Sequence, residues 1–479
     1  MSILVIDVGT SSVRAAIVQP DASVTHVHQE AALPSTPAPG LVEIDASHIW
    51  DVALACAQRA LADGGNVDAV GIANQRASTI VWDRATGEPV GPGLGWQDLR
   101  TLGTCLVLQA DGLRLAPNAS ATKVSQLLDD HDPDRTRDLL FGTVDSWLVW
   151  KLTEGAVHVT DLSNAGVTAM LHADGSGWSD KVLDALRIPA RMLPTVVDST
   201  GVVGNATVLP GSPAIAGIAG DQQASLIGQG CVKPGMAKIT FGTGGMLDLC
   251  VGEKQPATER APHGTIPICA WRDRGQITWG LEGIMLSAGT AVEWLRDDLQ
   301  LITSSADSHE VASRCTDTGG VVFVPALLGL GTPDWDYGAR GTLLGVTRGT
   351  GRPEVVRAVL EGVAQRGVDL VEAAEADGDV AIPLLRVDGG MSANPTFVQA
   401  LADASGRPVE VSPVLEATTL GAAFLAGMAT GTWRGWDDVH AAFTPRAVVE
   451  PGAPLDRERW REARRRAAGW HGDLSALDF

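Results

Sequence analysis

Short apolar runs, each closed by a small polar turn, recur along this chain in two sets. Residues 3–6 are apolar, too short for a helix, and lead into Asp7-Val8-Gly9-Thr10. They read as a buried strand with a turn at its end. Residues 12–18 follow that turn and suggest a hairpin. Residues 46–62 carry Ile49, Val52, Ala53, Cys56 and Ala60 at helical spacing, and strands are expected at 69–73 and 79–82, the latter turning at Ala85-Thr86-Gly87. After Gly211-Ser212-Pro213 the pattern restarts. A strand at 214–219 meets Asp221, and one at 238–241 ends in Gly242-Thr243-Gly244. One at 276–281 leads to a helix expected over 284–298, and a further strand is expected at 321–325. A long amphipathic helix is expected over 353–376. A strand at 384–387 ends in Asp388-Gly389-Gly390, and helices are expected at 394–405 and 418–430. No literal repeat of fixed period accompanies this alternation. It predicts an α/β fold, in which ligands bind beyond the strand ends.

A chain of 479 residues is too long for one ordinary core and fits two large domains. Apolar residues at 45% and charged residues at 19% are a normal globular balance, without the bias of disordered chains. The formal charge of -21 argues against a nucleic-acid partner. An acidic chain can still hold a polyphosphate where backbone amides neutralise it locally. The six cysteines, Cys56, Cys105, Cys231, Cys250, Cys269 and Cys315, form no Cys-x-x-Cys pair and no zinc spacing, and read as reduced core thiols. The chain enters a strand at once, without a basic segment and apolar core of the secretory kind, and no apolar run reaches about 18 residues. The expectation is a soluble cytoplasmic protein with no membrane partner. Near the C-terminus, Arg457, Arg459, Arg461 and Arg464-Arg465-Arg466, flanked by Trp460 and Trp470, read as a terminal helix with solvated charges packed by its tryptophans.

The turns carry the candidate chemistry. In Asp7-Val8-Gly9-Thr10-Ser11-Ser12-Val13-Arg14, Gly9 permits close backbone approach, and amides and hydroxyls of Thr10 and Ser11 can donate to phosphate oxygens. Asp7 can hold Mg²⁺ or its water, and Arg14 adds charge. A plain hairpin with a capping Asp fits the same residues. No Gly-Lys-Ser/Thr follows, so this is not a P-loop. Gly242-Thr243-Gly244-Gly245 suits a phosphate cradle or a mere turn. Asp388-Gly389-Gly390-Met391-Ser392-Ala393-Asn394 leads into a helix N-terminus, which favours negative groups. Asp221, directly after a strand, can accept a hydroxyl proton or can be a solvent-facing loop residue. Gln222 can hydrogen-bond a sugar hydroxyl. Arg76, in Asn74-Gln75-Arg76, and Trp96, in Trp96-Gln97-Asp98, would orient a small polyol between donors and an apolar face.

In this order the motifs resemble the FGGY carbohydrate kinase family, closest to its glycerol kinases, over about residues 3–435. Carrying segments are Ile6 to Ser12, Asn74-Gln75-Arg76 with Thr79 to Asp83, Gly95 to Thr101, Gly142 to Leu148, Gly217 to Gln223, Thr240 to Gly244, Leu281-Glu282-Gly283 with Glu293-Trp294-Leu295, and Asp388 to Asn394. The resemblance implies two ribonuclease-H-like domains of the actin-like ATPase type flanking a cleft. The expected division is 1–229 for the polyol and first phosphate loop, 230–440 for the nucleotide, and 441–479 as a helical tail. It implies ATP and Mg²⁺ as cofactors, a sugar or polyol as substrate, and a homo-oligomer, dimer or tetramer. Asp221 is implied as general base, and Arg76, Trp96, Asp221 and Gln222 as substrate contacts. Asp7 is implied for the metal. Thr10, Ser11, Ser12, Arg14, Thr243, Gly244, Gly289, Glu293, Gly390 and Asn394 are implied for the nucleotide. Where glycerol kinases have a glutamate, a tyrosine and an aromatic residue around the substrate, this chain has Ala77, Asn118 and Met246. Two polar ligands of glycerol are thereby replaced, so the sequence predicts that glycerol is a poor substrate and a four- or five-carbon polyol or ketose a better one. Glycerol kinase proper is the alternative, and a non-catalytic nucleotide-dependent regulator of the same superfamily is the alternative of another class.

Overall fold

The strands Ile3–Val8 and Ala69–Asn74 are apolar on both faces and buried at every residue, the pattern of strands covered on both sides. In the computed structural model, which describes residues 1–413 and 417–477, they pair in parallel, and Ala214–Gly220 pairs in parallel on the far side of Ala69–Asn74. Ser12–Val18 returns antiparallel from the first turn, forming the expected hairpin. The second half repeats the scheme. Ala237–Phe241 is flanked antiparallel by Gly245–Gly252 and parallel by Leu385–Asp388, beyond which lies Val409–Val411. Among the described residues the two halves form one thirteen-stranded sheet, joined where Thr200 pairs with Asp273. The fold is mixed α/β with two ribonuclease-H-like halves.

Each half has its own apolar core. A third cluster spans both, because the helix Ala417–Thr430 crosses from the second half to cover Ile3–Val8, Ala69–Asn74 and Ala214–Gly220. Gly71 permits this approach: a Cβ there would lie 2.5 Å from the Ala422 carbonyl oxygen. The expected unit 230–440 thus contributes a helix to the layer over the first half.

Three other expectations differ from the structure. The helix expected over 284–298 starts later. Ile284 and Met285 remain in register with Met246 and Gly245, so the strand Gln276–Met285 continues through them. The helix Gly289–Glu293 and a wider π-type turn, Trp294–Asp298, then follow. The tail expected to be helical also supplies a strand, Ala447–Val449, which extends the sheet. Its helix Arg457–Ala467 is not simply solvated. Arg457 and Arg464 lie 2.7 and 2.8 Å from the buried carboxylate of Asp369, which also accepts from Trp460 Nε1 at 3.0 Å. Trp460 is buried, whereas Trp470 is exposed. The cysteines are free, five of them buried. No helix among the described residues is long and apolar enough to cross a membrane.

Candidate active site

Strand register gathers the candidate residues. Val8 and Gly220 both pair with Asn74, so Gly9-Thr10, Gln75-Arg76 and Asp221 leave three neighbouring parallel strands at one edge. Thr240 pairs with Asp388, which places Gly242-Thr243 and Gly389-Gly390 together in the same way.

The first cluster is built from side chains that hold one another. Arg76 Nη2 donates to Glu282 Oε2 at 2.6 Å, and its Nε lies 3.5 Å from Asp221 Oδ1. Asp221 opens the helix Asp221–Gly228 and accepts from the Gln222 amide at 2.8 Å. Burial pushes its carboxyl pKa up, and the guanidinium of Arg76 opposes that shift. Burial likewise raises Glu282, again opposed by Arg76. In both carboxyls burial favours the proton and the neighbouring guanidinium favours the charge.

The Trp96 loop closes over the first turn, with the indole Nε1 donating to Thr10 Oγ1 at 3.2 Å. Asn118 Nδ2 donates to the Trp96 carbonyl at 3.1 Å. Beneath it the buried Lys123 donates to the carbonyls of Gly95, Trp96 and Asn118 at 2.8, 3.0 and 3.1 Å. Desolvation lowers its pKa to about 7. Ala77 is buried in the left-handed region, φ 61°, and its carbonyl accepts from Ser120 at 2.9 Å.

The second cluster is mostly backbone. A Cβ on Gly242 would meet its nearest atom at 3.9 Å, and one on Gly390 would meet nothing within 4 Å, so both backbones face open space. Gly289 has the reverse role: its N–H donates to the Gly242 carbonyl at 2.8 Å, and a Cβ there would lie 2.6 Å from that oxygen. Gly389, at φ 82°, packs its α-carbon against Phe241 backbone. Asp388 is buried, with Oδ1 lacking a partner among the described residues, and burial raises its pKa.

These features fit Mg²⁺ and ATP. An unpartnered buried carboxylate oxygen and open glycine turns are what a cation-bound polyphosphate needs. No three His, Cys, Asp or Glu side chains among the described residues converge on a metal site.

The remaining candidates are dispersed in role. Arg14 lies 3.6 Å from Asp7. Ser12 accepts from Gln29 at 2.8 Å, and Arg14 donates to Gln29 at 3.0 Å, so both side chains engage the neighbouring strand. Ser11 is exposed at the turn. Asn394 caps its helix, accepting from Phe397 N at 3.2 Å and donating to Ser308 at 2.9 Å. Thr243 and Glu293 are exposed, and Gly244 and Met246 half-buried. Sequence reasoning left Glu282, Lys238, Asp248, Lys123 and Asp388 out of the site. The available signal was a charge inside an otherwise apolar strand: Lys238 in Ala237–Phe241, Asp248 in Gly245–Gly252, Glu282 in Gln276–Met285.

Residues 2–228 match the N-terminal domain of the FGGY family of carbohydrate kinases, and residues 237–430 match its C-terminal domain. A glycerol kinase of Azotobacter vinelandii is 41% identical over 498 residues, covering 98% of each chain. One of Aromatoleum aromaticum is 42% identical over 494 residues, covering 98% of this chain and 99% of the relative. The crystal structure of Plasmodium falciparum glycerol kinase with ADP superposes with a TM-score of 0.90 at 28% identity, covering 100% of this chain and 99% of the other.

Proposed function

The chain belongs to the FGGY family of carbohydrate kinases, and we propose that it transfers the γ-phosphoryl group of ATP to a hydroxyl of a small polyol, glycerol first among the candidates. The observation that carries this is the Asp221–Arg76–Glu282 cluster, in which Asp221 and Arg76 follow their strands and Glu282 holds Arg76 from within the strand Gln276–Met285, setting a base beside a forked donor. Asp221 accepts the proton of the attacking hydroxyl, and its raised proton affinity suits that task. Arg76 and Gln222 orient the polyol, with Trp96 as its apolar wall. Glu282 fixes the guanidinium of Arg76. Asp7 and Asp388 would hold Mg²⁺, and the turns at Gly9, Gly242 and Gly390 would hold ATP, which together supply the phosphoryl group and neutralise its charge. Positioning and electrostatics then account for most of the rate. The reaction is placed in the cytoplasm, with a division of labour between 1–229 for the polyol and 230–440 for the nucleotide. The protein is proposed to work as a dimer or tetramer.

Kinship over the whole chain supports glycerol. So does the local geometry of the two altered positions. Ala77 is buried, and Asn118 is bonded to the Trp96 carbonyl, so both positions are tied into the loop around the proposed acceptor site. A second reading, a four- or five-carbon polyol or ketose, is favoured by the loss of two polar ligands at those same positions. The test is kcat/KM for glycerol against erythritol, xylitol, ribulose and xylulose, followed by ADP release. Glycerol is expected to lead by tenfold or more. If a longer substrate leads by that margin, the second reading holds, and Ala77→Glu with Asn118→Tyr should then move the preference toward glycerol.

A further inference from the structure

A row of charged side chains crosses the second half of the sheet beneath the helix Asp221–Gly228. Strand register sets Glu410 opposite Arg386, Arg386 opposite Lys238, Lys238 opposite Asp248, and Asp248 opposite Glu282. Glu282 in turn holds Arg76. Lys238 and Asp248, at the middle of the row, are fully buried and 2.7 Å apart. A buried pair of this kind seldom raises stability over an apolar pair of the same volume, so its presence beside a catalytic cluster calls for another reason.

The reason lies in what the lysine donates to. Lys238 Nζ donates to Gln222 Oε1 at 2.8 Å and Thr240 Oγ1 at 2.9 Å, while Asp248 faces it as an ion pair whose carboxylate oxygens take no hydrogen bond among the described residues. An ammonium has three N–H groups and no acceptor. Gln222 must then turn its carbonyl oxygen to the lysine and its Nε2, a donor only, the other way. Asp248 balances the charge that makes this orientation compulsory.

We propose that Lys238 and Asp248 are positioning residues that lock the Gln222 amide so that it donates to an oxygen of the acceptor polyol. This rests on the reading of Gln222 as an acceptor contact. Without the pair, the amide is free to rotate, and the hydrogen bond to the acceptor loses its fixed polarity.

The test is a mutant cycle read as acceptor KM, ATP KM and kcat. Gln222→Ala alone is expected to raise acceptor KM about tenfold, the size of one lost hydrogen bond. Lys238→Met with Asp248→Leu removes both charges of the pair at once. It is expected to raise acceptor KM by a similar factor with ATP KM within twofold, and adding Gln222→Ala should cost nothing further. A paired variant with wild-type acceptor KM, or a triple variant whose loss is the product of the two, overturns the inference. If Gln222→Ala itself is silent, the acceptor-site reading falls and the inference with it. Gln222→Glu gives a check that leaves the pair in place. It keeps an oxygen for Lys238 and removes the donor, so it should behave as Gln222→Ala. Retention of wild-type acceptor KM by Gln222→Glu would overturn the proposed polarity.

Discussion

The two strand-edge clusters are built in opposite ways. In the first half the side chains are interlocked: Arg76 with Asp221 and Glu282, Trp96 with Thr10, Lys123 with three carbonyls. In the second half, Gly242 and Gly390 offer bare backbone to open space, and the nearby Gly289 braces the first of them. On the proposed function, the difference follows from what each recognises. A polyphosphate is the same whatever the sugar, and amides serve it without side chains. A polyol is told from its relatives only by hydroxyl positions, which need directional groups held in place. Divergence within such a fold should therefore concentrate in the first cluster, as Ala77 and Asn118 illustrate.

The comparison is tested most severely at Asp221. Replacement by Asn keeps the shape and the amide contact but removes the base, so kcat should fall by roughly 10²–10⁴, with acceptor and ATP binding retained. Single-turnover assays and calorimetry read the two separately. Turnover near wild type would end the assignment of the first cluster as the seat of proton transfer.

A smaller effect is expected in the second cluster. Gly242→Val projects a branched side chain into the space the backbone now faces. ATP affinity should fall by roughly ten- to a hundredfold while acceptor affinity changes little, as judged by titration of each ligand. Equal loss of both affinities would mean that the clusters are not divided as described.

The edges themselves were legible in the sequence, because Gly-rich turns after apolar runs report strand ends whatever the fold around them. The turns at Gly9, Gly242 and Gly389 show themselves in this way, and Asp221 and Arg76 stand just after their strands. The charged row was not legible. Lys238 and Asp248 are ten residues apart in sequence, and only strand register makes them partners. The helix Ala417–Thr430 is legible as a helix, but its crossing to the first half depends on which strands leave room for it, as Gly71 does. In sequence, Ile284 and Met285 fit the start of a helix as well as the end of a strand, because apolar residues at the two look alike. Cross-strand pairing decides between them.

The interlocking of the first cluster extends behind it, and this gives the subtlest test. Asn74, at the end of its strand, exchanges hydrogen bonds with Asn164, which donates to Asp161, and Ser163 links Asp161 to the Gly220 amide. Asp145 stands next in this chain and accepts from Thr160 at 2.8 Å. Burial, reinforced by the nearby Asp161 carboxylate, raises its pKa to about 7. The folded protein thus holds a proton there that the unfolded chain releases above its ordinary value near 3.8. The stabilising contribution is complete below that ordinary value and is lost as pH rises through about 7. Its slope is at most about 1.4 kcal/mol per pH unit, one proton's worth. Asp145→Asn keeps the acceptor for Thr160 and removes the titration. Urea midpoints of the two proteins should therefore diverge between pH 5 and about 7, the wild type falling relative to the variant as pH rises. Parallel curves would show that this proton is not part of the scaffold, and that the side-chain lattice of the first half stops at the residues facing the cleft.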